Sequence, residues 1–423
     1  MTEPLSGMRV IEMATALQGP AAGGYLAEMG ADVIRIETPG GDGSRYGRGV
    51  NNSNPPGTAG TQFASTSRGK RSISLDAKSE AGLEVIQRLI ETADAFISNY
   101  REGALERLGL GYEACRARNP GLVYALANGF GPYGPRATRP MTDIAAQARG
   151  GLMSMIGDAG GAPMRAGVTV ADLAGAMQLA LATVTALLAR ERHGVGQKVN
   201  ISAYGAQIWL QSWELNHAGL TGQTLERDGA HHPNVPGMEA IYETNDGGWI
   251  AISFAKTEPA WQALCEFGGI PDAATDERWN SVQKRVGMST DPEIARSIRP
   301  VLADAFRSRT TSEWEAFFDS QPEIIACRVF SHADVLNDPQ ARANGYITDV
   351  ELPPIGTIPF VGPLIHFSET PPSVKGPPPE LDQHAEEILL ELGYGWDEIT
   401  TITEASRSAM RERFEALGLR PPY

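Results

Sequence analysis

Apolar positions along this 423-residue chain follow two rhythms. Residues 8–14 (MRVIEMA) and 32–37 (DVIRIE) are short, nearly continuous apolar runs, as in strands buried on both faces. Between them LQGP opens a helix with Pro20 near its first turn, where a missing N–H costs little, and Gly30 ends it. Strand, helix and strand in this order predict a parallel sheet. The alternation continues through a helix at 79–93 (SEAGLEVIQRLIETA) and strands at 95–100 (AFISNY) and 122–130 (LVYALANGF). It persists to about residue 218 and predicts a Rossmann-like, doubly wound α/β domain. From about 225 the texture changes. Residues 238–255 predict a β-hairpin turning at Asn245-Asp246-Gly247-Gly248, with helices near 257–268, 291–307 and 311–319, a smaller α+β domain. Beyond 330 come DVELPPIGTIPFVGPLIHF and ETPPSVKGPPPEL, too rich in proline for a helix and suited to lie across another surface. A short helix near 383–392 and an amphipathic one in the last residues follow.

Composition narrows the function. The chain carries a formal charge of −15, which argues against nucleic-acid binding over the whole surface. Between Arg35 and Leu75, however, six basic residues face two acidic ones, a local excess that can receive phosphates or be an ordinary solvated surface. Cys115, Cys265 and Cys327 are far apart, so neither a disulfide framework nor a zinc knuckle is expected, and no metal is expected. The N-terminus shows no signal-peptide pattern, and no run of 18 apolar residues is apparent, so the expected setting is the cytoplasm without membrane attachment. The glycines after the first strand (GPAAGG) do not spell GxGxxG, and no Walker lysine is present; a nicotinamide-binding reading is weak.

The candidate chemistry starts at Asp172, which opens the long apolar run VTVADLAGAMQLALATVTALLARERHG (168–194). Aspartate is a favoured helix N-cap, and the helix dipole stabilises its charge. The same physics keeps a carboxylate ionised beside small residues (Ala171, Ala174, Gly175) that leave room for attack on an acyl carbon. Both readings stand on these residues alone.

Context weighs between them. The chain resembles the class III CoA-transferase family, which also includes α-methylacyl-CoA racemase. The likeness runs in order through GMRVIEMATALQGPAAGGYLAEMGADVIRIE, SRGKRSISLDAKSEAG (67–82), ISNYREGALERLGLGYE (97–113), NGFGPYGP (128–135), MTDIAAQARGG (141–151), the Asp172 segment, RHGVGQKVNIS (192–202) and the proline-rich C-terminal segments. The final 20 or so residues fall outside it. The resemblance implies an acyl-CoA and a small carboxylic acid as substrates, coenzyme A entering as a thioester, and Asp172 as the nucleophile. It implies CoA contacts from Leu17, Gln18, Thr38, Leu75, Lys78, Asn99, Tyr100, Arg101 and Arg107; the basic patch lies in the same neighbourhood, and Lys70, Arg71 and Arg101 are expected within electrostatic reach of the phosphates. It places Asp143 at the acyl end of the site. It further implies an interlocked, ring-like homodimer, in which residues 1–220 with 330–423 form the large domain and 221–329 the small one.

Two departures from the family pattern matter. The racemases carry His-Asp where this chain has Thr142-Asp143, and a threonine hydroxyl is a poor base near neutral pH. Glu258, in KTEPAWQAL, still resembles a racemase segment. The loop that covers the intermediate in formyl-CoA transferase is glycine-rich; the matching stretch RDGAHHPNVPGMEA (227–240) has only Gly229 and Gly237, and carries His231 and His232, which suggests another, larger acid. The expected activity is CoA transfer through an aspartyl-CoA thioester. The alternatives are racemisation, or a CoA-binding partner subunit of a heteromeric transferase.

Overall fold

The computed structural model describes residues 2–416 apart from 102, 289 and 290, so the tail beyond Ala416 lies outside the described residues. Six short strands, β1 (Arg9–Met13), β2 (Asp32–Glu37), β3 (Arg71–Ser74), β4 (Ala95–Ser98), β5 (Val123–Asn128) and β6 (Lys198–Ser202), form one parallel sheet. Their order, β3-β2-β1-β4-β5-β6, reverses direction between β1 and β4. Ile11 stands beside Ile34 on one side and Phe96 on the other. Successive side chains on a strand point to opposite faces, so both faces must be covered. One face, carrying Ile11, Ile34, Phe96 and Tyr124, packs against Val85, Ile86 and Leu89 and against Ile388, Leu389 and Ile399. The other, carrying Val10, Val33, Ala95 and Ala125, packs against Ala22, Leu26, Ala176 and Leu179.

The helices that matter below are α1 (Gln18–Glu28), α2 (Asp143–Arg149), α3 (Val170–His193) and α4 (Trp396–Ala416). By length and composition α3 is apolar enough to cross a membrane, a property the search for an unbroken apolar run missed. Its Ala176, Leu179, Ala186 and Leu187 lie in the sheet's core, while Leu173, Met177, Leu181, Val184 and Leu188 form an exposed stripe.

The chain divides into two compact units, one of residues 1–150, 167–210 and 336–423, the other of 151–166 and 211–335. The boundaries depart from the expected ones. Residues 151–166 belong with the second unit, as does the helix Ser212–Thr221. In the first unit the proline-rich stretch folds as a hairpin, Ile347–Leu352 against Gly356–Val361, and runs on without regular structure. Polar anchors tie it down: Arg68 donates to the Val361 carbonyl, Arg45 to that of Pro379, and Lys375 pairs with Glu3 at 2.8 Å.

The second unit holds an antiparallel sheet of β7 (His231–His232), β8 (Val235–Glu243), β9 (Trp249–Ala255) and β10 (Ile324–Arg328) in the order β10-β9-β8-β7. Its core gathers Trp261, Trp314 and Phe306 from three helices against Met238, Tyr242 and Ile250.

Candidate active site

In an open parallel sheet, loops at the carboxyl ends of the strands diverge where the strand order reverses, which leaves a crevice. Here that crevice lies beyond β1 and β4, and two backbone-to-side-chain bonds lock its walls. Thr15 N–H donates to Asn99 Oδ1 at 2.8 Å, and Asn99 Nδ2 donates to the Thr15 carbonyl at 2.8 Å. Ala16 is held at φ 60, a left-handed conformation that costs a non-glycine residue energy, with its N–H donating to Asp42 Oδ2 at 2.9 Å. Asp42 is itself fixed by Arg35 at 2.9 Å, part of a buried network with Glu12 and Lys70.

The resulting cavity, about 530 Å³, is lined by Thr15, Ala16, Leu17, Gln18, Asn99, Tyr100, Arg101, Arg107, Asn128, Gly129, Arg139, Met141, Thr142 and Asp172, among others. Arg101, Arg107 and Arg139 are exposed to it, and none pairs with a carboxylate among the described residues. Such a rim suits a ligand with several negative charges.

Asp172 is the third residue of α3, yet it does not cap that helix. The preceding Thr169 makes no capping bond. The cap comes from α2 instead: Asp143 Oδ1 accepts the N–H groups of Ala171 (2.8 Å) and Asp172 (3.3 Å), and its Oδ2 accepts Gln147 Nε2 at 2.6 Å. The Asp172 carboxylate is thereby left to face the cavity and accepts no hydrogen bond from the described residues. Burial, and then the neighbouring Asp143 charge, push its pKa up to about 6.

One turn along α3, Gly175 faces the Gln18 amide. A Cβ at Gly175 would stand 2.1 Å from Gln18 Nε2, so only glycine leaves that amide its place. Gln18 is buried, and its Nε2 has no acceptor among the described residues. A buried donor without a partner costs free energy unless something arrives to use it.

The predicted contacts therefore divide. Leu17, Gln18, Asn99, Tyr100, Arg101 and Arg107 meet at the cavity with Asp172. Thr38, just past β2, accepts a hydrogen bond from Arg413 at 2.9 Å, and Lys78 is exposed just past β3. Lys70 is a correction: its ammonium is fully buried, donating to Glu12 at 2.6 Å and to the Pro20 carbonyl at 2.7 Å, so no phosphate reaches it. Arg71 is another, because it starts β3, at the amino end of the sheet, and pairs there with Asp32 and Glu391. Leu75, 2% exposed, belongs to the sheet's core and offers no surface to an adenine. Asp143, expected to line the acyl end, is instead spent on capping α3.

The predicted substrate-loop residues all lie in the second unit. Gly229, His231 and His232 line a groove of about 600 Å³ on its sheet, and the histidines form a strand rather than a loop. His232 Nε2 is 3.2 Å from Glu214, with its ring stacked on Trp213. Gly237 is a packing glycine: a Cβ there would stand 1.7 Å from the Arg285 carbonyl. Glu258 pairs with the buried Arg285 at 2.8 Å. Arg139, Asn128 and Met141 were not anticipated; the signal for them was NGFGPYGP, a glycine-rich turn leaving β5 at the edge where the cavity lies.

Comparison with known proteins decides the family. The model for CoA-transferase family III matches residues 5–385. The chain belongs to this family. It is 34% identical over 401 residues to a succinate–glutarate CoA-transferase of Agrobacterium fabrum, covering 92% of this chain and 96% of that one. It is 33% identical over 410 residues to a succinyl-CoA:mesaconate CoA-transferase of Haloarcula hispanica, covering 92% and 97%. The crystal structure of a CAIB/BAIF family protein from Brucella suis superposes with a TM-score of 0.80 at 30% identity, covering 93% of this chain and all of that one. Class III CoA-transferases use CoA thioesters as substrates. The family match stops before α4.

Proposed function

We propose that this transferase moves CoA between two short dicarboxylic acids, with Asp172 as the covalent nucleophile. An Asp172 oxygen attacks the thioester carbonyl; a C–O bond forms, the C–S bond breaks, and CoA leaves as the thiolate. The thiolate then attacks the Asp172 carbonyl of the mixed anhydride and expels the donor acid, leaving an aspartyl-CoA thioester. An acceptor carboxylate repeats the two steps in reverse, so thioester energy is kept without hydrolysis. The observation that carries this reading is a carboxylate relieved of capping, accepting no hydrogen bond from the described residues and raised to about 6, in a cavity rimmed by three arginines that pair with no carboxylate among those residues. A higher pKa makes a carboxylate a better nucleophile. The unpartnered Gln18 Nε2 is the donor for the oxyanion that each attack creates. The acid class follows from the succinate, glutarate and mesaconate named for the relatives.

Racemisation is not favoured, since Thr142 supplies no base on the cavity wall. The exposed stripe on α3 supports a homodimer, with this face against a second copy.

The test is trapping. Enzyme is incubated with succinyl-CoA and hydroxylamine and its peptides are mapped. A hydroxamate at Asp172, with no labelling or turnover in Asp172→Ala, is the expected result. Turnover that persists in Asp172→Asn, with position 172 unmodified in the native enzyme, would refute the mechanism.

A further inference from the structure

Chemistry that the site leaves unused stands near the end of α4. In doubly wound nucleotide folds, the residue at the carboxyl end of the second strand decides what the ribose carries. An acidic side chain there takes a hydroxyl, an arginine a phosphate. Here the acidic residue at that place, Glu37, is buried and consumed, accepting Arg45 Nε at 2.7 Å and Ser72 Oγ at 2.9 Å. The next side chain, Thr38, carries no charge. A guanidinium is nevertheless delivered to it from far along the chain: Arg413 Nη1 donates to Thr38 Oγ1 at 2.9 Å and to the Pro39 carbonyl at 3.0 Å.

This placement is built rather than incidental. Phe414, the neighbour of Arg413, is buried with Leu381 and Met410 and meets Tyr46 edge-on at 5.5 Å. Ser406, two turns earlier, donates to the Ser74 carbonyl at the end of β3. Gly40, at φ 91, lets the arginine stem lie along it, since a Cβ there would stand 2.9 Å from Arg413 Cδ. Arg413 pairs with no carboxylate among the described residues, so its charge is unspent. Tyr100, on the cavity wall, has its pKa raised chiefly by burial, with smaller contributions from the charges of Asp42, Arg35, Glu37 and Arg413.

We infer that Arg413, outside the segment matching the family, binds the phosphate on the ribose of coenzyme A and makes the enzyme discriminate CoA from its dephosphorylated form. The inference rests on the CoA-transferase reading but not on the covalent step.

Its test is therefore a binding measurement. Free CoA and 3′-dephospho-CoA are titrated calorimetrically into native enzyme, Arg413→Ala and Arg413→Lys. Native enzyme should favour CoA by about tenfold or more, the scale of one charge-assisted phosphate contact. Arg413→Ala should lose that preference by weakening CoA alone, and Arg413→Lys should restore part of it. Equal affinity of native enzyme for both ligands overturns the inference, as does an Arg413→Ala protein that weakens both equally or neither. Should trapping at Asp172 fail while the CoA preference follows Arg413, the nucleophile falls and this assignment stands.

Discussion

Replacing Asp143 by asparagine separates the two things its carboxylate does to Asp172. The asparagine Oδ1 can still accept the Ala171 and Asp172 amides, so α3 keeps its cap, while Gln147 must turn its amide over to meet the new Nδ2. What disappears is the negative charge. The Asp172 pKa stands at about 6 against 3.8 for an ordinary aspartate, burial being the larger cause and Asp143 the smaller. Asp143 therefore supplies less than half of that rise, at most about one pH unit. Because attack requires the carboxylate, kcat/KM for the thioester should climb as pH passes through the Asp172 pKa and then level off. In Asp143→Asn the acid limb should move to lower pH by up to about one unit, with the plateau lowered because the carboxylate is less basic. The check is kcat/KM for succinyl-CoA from pH 4.5 to 8, beside thermal unfolding at each pH. Asp143→Ala is the companion. It also discards the cap, and should cost about 0.5–2 kcal/mol of stability. An acid limb that stays in place in Asp143→Asn, or shifts upward, refutes the electrostatic coupling.

Gln18→Ala should lower kcat about 10²–10³-fold with little change in KM, as expected on loss of an oxyanion donor. Gly175→Ala should approach the same kcat without a lower melting temperature, because the new methyl displaces the Gln18 amide while alanine suits a helix interior better than glycine; the double variant should be no slower than Gln18→Ala, and additive losses would show that the two residues act apart. Lys70→Met should lose about 1–3 kcal/mol in denaturant unfolding, since it removes one of the two cations on the buried Glu12 and leaves only Arg35, and should leave KM for the thioester unchanged. A raised KM without destabilisation would return Lys70 to the phosphates.

What could be read from the sequence follows from how locally each feature is encoded. β1, β2, β4 and β5 are apolar runs buried on both faces, and their alternation with helices gave the sheet and its parallel sense. β3 (RSIS) and β6 (KVNIS) lie at the two edges and carry too few apolar residues to announce themselves. The basic segment from Arg35 to Arg71 looked like one patch because charge was counted along the chain. In space Arg35 and Lys70 close on Glu12 in the core, Arg45 closes on Glu37, and Arg71 faces the far edge. The Lys70–Glu12 pair joins residues 58 positions apart, and no periodicity registers it. Asp172 was legible as special, but the sequence could not show who caps α3, since that bond arrives from 28 residues upstream.

On the proposed mechanism, that delegation is what allows a helix terminus to carry a nucleophile. A carboxylate that caps its own helix is stabilised as an anion by the amides it accepts, and its pKa falls. Both effects weaken it toward a carbonyl. Here Asp143 absorbs the amides, and its charge, left behind the reacting group, works in the opposite direction by raising Asp172. On the same proposal the Gln18 donor completes the asymmetry, because it has no partner among the described residues and would gain one when an oxyanion forms. If Asp172 is the nucleophile, the site withholds stabilisation from the ground state and reserves it for the species that lie along the reaction path.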